Sequence, residues 1–276
     1  MKHFQNFLYF GFEQAKSCLF PIIIFLSLAL TKMIEIPFIA RYDLILLICL
    51  MAQIMMILFK YETMDEVKVI IVFHLIGLAL ELFKVQMSSW SYPEEAISKI
   101  YGVPLYSGFM YASVASYMCQ AWRRLDLRLN RWPSSWVTIM LGSSIYFNFY
   151  THHYIMDLRW ILKITILLVF IKTYVSFTVN KTSYKMPLIV SFILIGFFIW
   201  IAENIATFYG AWTYPNQEQT WQIVHLGKIS SWLLLVIVSF MIVAELKHVK
   251  STKEFISKRR KTTILEKVGI TSPLKW

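Results

Sequence analysis

Residues 186–206 read MPLIVSFILIGFFIWIAENIA, an apolar run in which Glu203 is the only ionisable side chain. A helix needs about 20 mostly apolar residues to cross the hydrocarbon core of a bilayer, and this run has that length. Similar runs recur along the chain, so the sequence predicts about eight membrane-spanning helices. The predicted spans are Cys18–Ile36, Tyr42–Phe59, Val67–Val85, Val103–Trp122, Ser135–His152, Trp160–Phe177, Met186–Ala206 and Ile223–Glu245.

The composition is typical of a chain dissolved in lipid. Hydrophobic residues make up 58% of the sequence and charged residues 16%, whereas soluble domains carry about 45–50% apolar and about 25% charged residues. A soluble core cannot bury that much apolar surface, so the composition argues against an ordinary soluble domain. Much of the formal net charge of +11 lies in the C-terminal tail. On a chain with several spans, such a tail favours anionic lipid heads over nucleic acid as its partner.

The positive charges also predict an orientation. With eight spans both termini lie on the side that carries most Lys and Arg, which the positive-inside rule identifies as the cytoplasm. The opposite side has little beyond Arg41, Lys99 and Arg159. We therefore expect a multi-pass protein of the cell membrane, with a transmembrane domain over residues 1–250 and a basic cytoplasmic tail over residues 251–276.

An internal repeat follows the third and seventh predicted spans. Glu81 precedes Trp90-Ser91-Tyr92-Pro93, and Glu203 precedes Trp212-Thr213-Tyr214-Pro215 with the same spacing. After a gap of one residue, residues 103–105 align with residues 224–226. The predicted fold class is therefore all-α, a polytopic helical membrane protein of two tandem four-helix halves, residues 17–125 and 133–246. The alternative is that Trp and Tyr serve twice as interface anchors.

Ionisable side chains inside spans are expensive in lipid and mark candidate functional sites. Glu81 and Glu203 lie near the outer ends of their spans, and His152 ends a polar stripe on the fifth span. We predict these three as catalytic residues. The predicted substrate-binding residues around them are Trp90, Tyr92, Asn148, Trp212, Tyr214 and His225. The alternative is a set of structural ion pairs, in which Lys84 pairs with Glu81 one helical turn away.

The sequence offers no motif for a metal or cofactor. Its three cysteines, Cys18, Cys49 and Cys119, form no CxxC pair and are interpreted as small buried hydrophobes. Because the histidines form no HExxH motif, we predict no metal site. No glycine-rich phosphate loop or nucleophile elbow is present either, and no cofactor is expected.

Three stretches carry a resemblance to a known family. They are residues 10–16 (FGFEQAK), 102–111 (GVPLYSGFMY) and 200–206 (WIAENIA). Together they resemble the bacterial membrane family catalogued as domain-of-unknown-function family 817, over most of the chain up to about Lys250. The resemblance implies a membrane protein of bacterial type and carries no activity with it.

A weaker likeness is suggestive of chemistry. The order of Glu81, W-x-Y and Gly102-Val103-Pro104-Leu105 is similar to that of membrane carotenoid enzymes, the heterodimeric-type lycopene cyclases and the carotenoid hydratases. The likeness implies that Glu81 and Glu203 exchange protons with a polyene. Trp90, Tyr92, Trp212 and Tyr214 would then line a pocket that stabilises a cation.

Three functional hypotheses follow from these patterns. The first is that the protein binds or modifies a membrane-dissolved isoprenoid, carotenoid-like or lipid substrate through paired carboxylates. The second, from another class, is a transporter of a small solute or ion, and the third is a structural or regulatory membrane protein. The expected partners are membrane lipids and an apolar small molecule, and the sequence leaves the oligomeric state open.

Overall fold

The computed structural model describes residues 2–34, 36–245 and 247. Helices dominate this part of the chain. They are α1 Lys2–Ser17, α2 Leu19–Met33, α3 Arg41–Leu58, α4 Met64–Gln86, α5 Tyr106–Arg124, α6 Ser135–Thr151, α7 Arg159–Phe170, α8 Leu188–Phe208 and α9 Gly227–Glu245. The strands are β1 Lys99–Ile100, β2 Val103–Pro104, β3 Arg128–Asn130, β4 Tyr174–Val179 and β5 Thr182–Pro187. The predicted basic tail, residues 251–276, lies outside the described residues.

The mostly helical character predicted from the sequence is confirmed. Each of the eight predicted spans overlaps one of the helices α2–α9. Three of these, α3, α8 and α9, are long and apolar enough to cross a membrane. His3–Ser17 and Leu19–Met33 add a fourth span if this pair, bent by 65°, counts as one broken span.

The prediction of an all-α fold is wrong in detail, because short strands interrupt the helices. The predicted sixth span, Trp160–Phe177, is helical only as far as Phe170. The chain then enters the hairpin β4–β5, whose two-residue turn, Asn180 and Lys181, has positive φ angles of 46° and 63°. Such a turn matches the twist of paired strands. At about 1.5 Å per residue, the 12 residues of α7 are too short to cross about 30 Å of hydrocarbon.

The N-terminal helix α1 was not predicted. Its polar face is turned inward. Asn6 Nδ2 donates to the Tyr184 hydroxyl of the hairpin at 2.7 Å, and Glu13 pairs with Arg124 of α5 at 3.4 Å. Its large apolar side chains point outward instead, with Phe4, Phe7, Leu8 and Phe12 between 55% and 70% exposed.

Two glycines let α4 and α5 approach closely. A Cβ atom added at Gly77 of α4 would lie 2.4 Å from Cγ of Tyr111, and one added at Gly108 of α5 would lie 2.8 Å from the ring of His74. Each glycine therefore receives a ring from the opposite helix. This packing brings the Tyr111 hydroxyl to Glu81 on α4.

Arg41, the first residue of α3, joins three other parts of the chain. Its guanidinium donates to the carbonyl oxygens of Leu28 on α2 and of Tyr209 and Gly210 after α8. It also pairs with Glu94 at 2.7 Å. Because carbonyls at a helix C-terminus have no partner within the helix, Arg41 satisfies groups of Tyr209 and Gly210 that α8 leaves unpaired.

We expect Gly77→Ala to destabilise the fold, because the new methyl group must displace Tyr111. Overpacking of this kind costs about 1–3 kcal/mol. Gly11→Ala is the matched control, since nothing lies within 4 Å of a Cβ atom at that position. In a helix that change is stabilising by about 0.5–1 kcal/mol. Thermal unfolding of the purified variants in detergent measures both, and equal melting temperatures for Gly77→Ala and wild type would contradict the packing.

Candidate functional site

Glu81 is buried near the C-terminal end of α4 and accepts three hydrogen bonds from neutral donors. Trp90 Nε1 and the Tyr92 hydroxyl both donate to Oε2 at 2.7 Å, and the Tyr111 hydroxyl donates to Oε1 at 2.7 Å. The residue is only 3% exposed. A carboxylate has about four lone-pair positions, so most of its accepting capacity is used by aromatic side chains.

Glu203 has the same kind of environment on α8. The Tyr214 hydroxyl donates to its Oε1 and Trp232 Nε1 donates to its Oε2. The residue is 2% exposed. Tyr214 follows Glu203 by 11 residues, as Tyr92 follows Glu81.

The second donors on the two carboxylates also occupy matching positions in the chain. Trp232 follows Val224 by the same number of residues as Tyr111 follows Val103, since 232 − 224 and 111 − 103 are both 8. Val103 and Val224 are the positions that align in the predicted repeat. From its W-x-Y-P segment Glu81 thus receives two donors and Glu203 one, and each glutamate receives one more donor from the following helix, α5 or α9.

The two W-x-Y-P segments lie side by side. Ser91 and Thr213 form an antiparallel bridge in which the N–H of each donates to the carbonyl of the other at 2.9 Å. Across the bridge the rings of Trp90 and Tyr214 meet edge to face, with 6.0 Å between centroids. The structure therefore brings both copies of the motif to one place.

A cavity of about 120 Å³ opens beside this pair of segments. Four aromatic side chains, Trp90, Tyr111, Tyr214 and Trp232, form part of its wall, and each donates a hydrogen bond to Glu81 or Glu203. The glutamates themselves do not line it. The remaining lining residues are Leu80, Lys84, Ser89, Phe149, His152, Arg159, Lys228, Ser231 and Leu235.

The predicted catalytic residues lie in two different settings. His152 lines the cavity, and its Nδ1 lies 3.0 Å from the carbonyl oxygen of Asn148. Glu81 and Glu203 lie behind the aromatic wall, where they hold the wall side chains in place. Their geometry is that of positioning residues, and their assignment as catalytic residues stays a prediction.

The predicted substrate-binding residues divide in the same way. Trp90 and Tyr214 line the cavity, whereas Tyr92 and Trp212 are buried and do not. Asn148 is buried and binds the loop between α6 and α7, because its Oδ1 accepts a hydrogen bond from the Leu158 N–H at 2.9 Å. His225 is exposed and accepts from the Gly227 N–H at 3.0 Å, so it lies outside the cavity wall.

The loop tyrosines keep their protons. Burial raises the pKa of Tyr92 well above its ordinary value, and the adjacent Glu81 raises it further. Burial and Glu203 do the same to the pKa of Tyr214. Both hydroxyls therefore remain donors to the glutamates at any physiological pH.

The cavity also holds three cationic side chains that the sequence did not place together. Lys84 comes from α4, Arg159 from the start of α7 and Lys228 from the first turn of α9. In the part of the chain that the structure describes, the predicted Glu81–Lys84 ion pair does not form. Lys84 Nζ lies 3.1 Å from Nε2 of His153 instead.

Among the ionisable residues near the cavity, the alternative of structural ion pairs is realised at Asp157 and Arg159. Arg159 Nε donates to Asp157 Oδ2 at 2.5 Å, and Arg159 Nη1 donates to Ser231 Oγ at 3.1 Å. Lys228 lies over the Tyr214 ring, 4.3 Å from its centroid. Neither Lys84 nor Lys228 forms an ion pair with a carboxylate of the described chain.

Sequence reasoning missed Tyr111, Trp232 and Ser231 as parts of the site. The signal for the two aromatic donors was the continuation of the repeat from Val103 and Val224 into the next helices. Ser231 carries no local signal. Across the described residues, no three His, Cys, Asp or Glu side chains lie together in a way that would hold a metal ion.

Comparison with known proteins gives the family. The family described as "Protein of unknown function (DUF817)" matches residues 6–240. The chain belongs to DUF817. The resemblance seen in the three sequence stretches is therefore confirmed, and the matched range contains every residue of the cavity.

One DUF817 relative is similar over most of its length. The chain is 63% identical over 250 residues to "Uncharacterized protein YoaT" of Bacillus subtilis (strain 168), covering 91% of this chain and 95% of the relative. No solved structure matches the chain.

We expect Glu81→Leu to unfold or strongly destabilise this DUF817 protein, because the buried Tyr92 and the partly buried Trp90 and Tyr111 lose their acceptor. An unsatisfied buried donor costs about 1–3 kcal/mol, so the free energy of unfolding should fall by more than about 3 kcal/mol. Glu81→Gln should lower the free energy of unfolding by less, since the amide oxygen of glutamine can still accept hydrogen bonds from Trp90 and Tyr92.

Thermal unfolding of the two variants in detergent measures the difference. Glu95→Leu is the control, because Glu95 is an exposed glutamate in the same loop region. A melting temperature of Glu81→Leu equal to that of Glu95→Leu would show that the carboxylate does not hold the aromatic wall.

Proposed function

We propose that this DUF817 protein is a multi-pass membrane protein that binds a small solute in the aromatic cavity and moves it across the membrane. The observation that carries the proposal is the construction of the wall. Four aromatic side chains are each fixed by a hydrogen bond to a buried carboxylate. An accidental gap in the packing would not require its wall side chains to be held in this way. Binding sites are built in this way, with rigid first contacts supported from behind.

The distribution of apolar side chains supports residence in a bilayer. On α1 the polar residues Asn6 and Glu13 are buried, whereas Phe4, Phe7 and Phe12 are exposed. That arrangement is the reverse of a helix on a soluble protein, where the apolar face turns toward the core. It suits a helix that lies at a bilayer surface with its apolar face in the lipid.

The proposed topology keeps eight membrane segments, with both termini in the cytoplasm. The helices α2–α9 provide these segments. The short α7 and the residues after it return the chain to the side from which α6 starts, because β4 pairs with β3, the strand that precedes α6. The exposed Trp160, Ile161 and Leu168 of α7 are suited to lipid contact. The two tandem halves and the cell-membrane location belong to the same proposal.

A reporter fused after Lys250 should be active on the cytoplasmic side, and one inserted near Asn216 should be active outside. The physical reason is the excess of Lys and Arg on the side of the termini. Alkaline phosphatase and green fluorescent protein fusions at both sites measure this in living cells. The opposite pattern would reverse the topology and move the cavity to the cytoplasmic end.

The size of the cavity favours a small solute over a whole polyene. A protein cavity of about 150 Å³ holds one benzene molecule, and this cavity is about 120 Å³. A solute of a few heavy atoms fits such a space. An isoprenoid or carotenoid chain would have to lie mostly outside the cavity, with only one of its ends inside.

An isoprenoid or lipid substrate is the second candidate, supported by the same aromatic wall. Aromatic rings stabilise carbocations, and His152 is a lining group that exchanges protons. For Glu81 or Glu203 to protonate such a substrate, the wall would have to open, since Trp90, Tyr111, Tyr214 and Trp232 separate them from the cavity. The geometry therefore ranks this candidate after solute transport.

Uptake by reconstituted protein separates the two candidates. Proteoliposomes are incubated with a uniformly ¹³C-labelled extract of small metabolites, and the retained solutes are measured by mass spectrometry. We expect retention by wild type and loss with Trp232→Ala, which removes a wall of the cavity. Trp160→Ala is the matched control, because Trp160 is 74% exposed on α7 and its loss should leave uptake unchanged.

A deletion strain supplies the opposing result. If wild-type vesicles retain no solute while the strain changes its lipid or isoprenoid profile, the lipid candidate replaces the transport proposal.

A further inference from the structure

Three cationic side chains from three helices converge on the cavity. Lys84, Arg159 and Lys228 all line it. Lys228 and Arg159 repel the charge of Lys84, whereas Asp157 attracts it, and Glu203 attracts the charge of Lys228 from behind the aromatic wall. Like charges placed together in a medium of low dielectric constant repel strongly, so the arrangement costs free energy unless negative charge balances it.

The described residues supply little of that negative charge at the cavity surface. No acidic side chain lines the cavity. Asp157, the nearest ion-pair partner, is bound to Arg159. Glu81 and Glu203 lie behind the aromatic wall, and their oxygens accept from Trp and Tyr donors rather than from lysine.

The ammonium groups of the two lysines contact neutral rings rather than carboxylates. Lys84 is only 6% exposed, and its Nζ lies 3.1 Å from Nε2 of His153. Burial and the charge of Lys84 lower the pKa of His153, so its ring is neutral at pH 7 and compensates no charge. Lys228 rests on the rings of Tyr214 and Trp90, 4.3 and 5.6 Å from their centroids.

We propose that the cavity binds the oxyanion group of a small solute, a carboxylate or a phosphate, between the ammonium groups of Lys84 and Lys228 and the guanidinium of Arg159. The inference rests on the proposed function and names its substrate class.

The geometry of Arg159 suits such a ligand. A guanidinium has five N–H donors, and the side-chain bonds to Asp157 and Ser231 engage two of its nitrogens. Further donors remain for a ligand oxygen. Asp157 and Ser231 fix the orientation of the guanidinium before a ligand binds. The entropic cost of ordering this side chain therefore does not reduce the affinity.

The oxyanion has two sources, a free solute or the headgroup of an anionic lipid. The cavity volume of about 120 Å³ admits either a whole small anion or one headgroup. The shared chemistry is that of a compact anion bearing oxygens, and separate binding arms distinguish the sources.

The experiment uses the full-length protein in nanodiscs of phosphatidylcholine, at constant ionic strength. In the first arm, phosphate, sulfate and acetate are added as sodium salts, with chloride salt as the reference and glucose as a neutral probe. In the second arm, phosphatidic acid is mixed into the nanodisc without added oxyanion. Thermal unfolding and isothermal titration calorimetry measure stabilisation and affinity.

We expect at least one oxyanion or phosphatidic acid to raise the melting temperature of wild type, and glucose to leave it unchanged. Lys84→Gln and Lys228→Gln should each weaken the binding about tenfold or more, as expected for loss of one charge-assisted hydrogen bond. Lys228→Arg should retain most of it. Lys172→Gln, which alters an exposed lysine beyond the far end of α7, is the matched control and should bind as wild type.

Stabilisation by free anions identifies a solute, and stabilisation by phosphatidic acid alone identifies a lipid headgroup. Unchanged affinity in both lysine-to-glutamine variants would overturn the proposal. Binding of glucose or of another neutral solute, without any oxyanion, would overturn the anion assignment and leave the proposed transport function standing. Absence of binding in both arms, together with absence of solute uptake by proteoliposomes, would remove both. If Lys84→Gln fails to fold, the affinities of Lys228→Gln and Lys228→Arg decide, and equal affinities of these two variants would overturn the proposal.

Discussion

A carboxylate removed from water must be given hydrogen bonds, and this requirement organises the centre of the structure. Glu81 and Glu203 are buried almost completely, where an unsatisfied carboxylate would cost several kcal/mol. The donors that satisfy them come from the two W-x-Y-P segments and from the helices α5 and α9. Each glutamate thereby fixes a helix, the loop that follows it and the next helix relative to one another. The aromatic wall of the cavity is a result of that arrangement.

The same arrangement separates two kinds of polar group that sequence reasoning had combined. The acids sit behind the wall and are satisfied by neutral donors. The bases Lys84, Arg159 and Lys228 sit in front of it and face open space. A layer of rings separates the opposite charges, so the oxygens of Glu81 and Glu203 accept from Trp and Tyr donors and not from Lys84 or Lys228. The positive character of the cavity surface therefore depends on where the acids and bases lie as much as on how many of each the sequence contains.

The sequence anticipated the helices and singled out the two glutamates whose surroundings match in the structure, because both depend on local patterns. An apolar run of about 20 residues and a fixed spacing from Glu to W-x-Y-P are visible without a structure. The pairing of Glu81 with Lys84 was not realised, since a spacing of three residues makes contact feasible but cannot reveal that Trp90, Tyr92 and Tyr111 already occupy the carboxylate. The hairpin β4–β5 was missed because a short run of apolar and β-branched residues fits a buried helix and a strand equally well. The convergence of Arg159 and Lys228 depends on contacts between distant helices, which no local pattern records.

The bridge between Ser91 and Thr213 has a mechanical consequence. Two reciprocal hydrogen bonds at 2.9 Å resist separation of the segments but offer little resistance to rotation about the line on which they lie. A rotation of the pair α4–α5 against the pair α8–α9 about this line would therefore leave the bridge intact. With 23 residues, α4 is about 34 Å long, so a rotation of about 10° would displace its far end by about 6 Å. In such a rotation the ends of the helices remote from the cavity travel furthest, while the cavity itself changes shape only slightly.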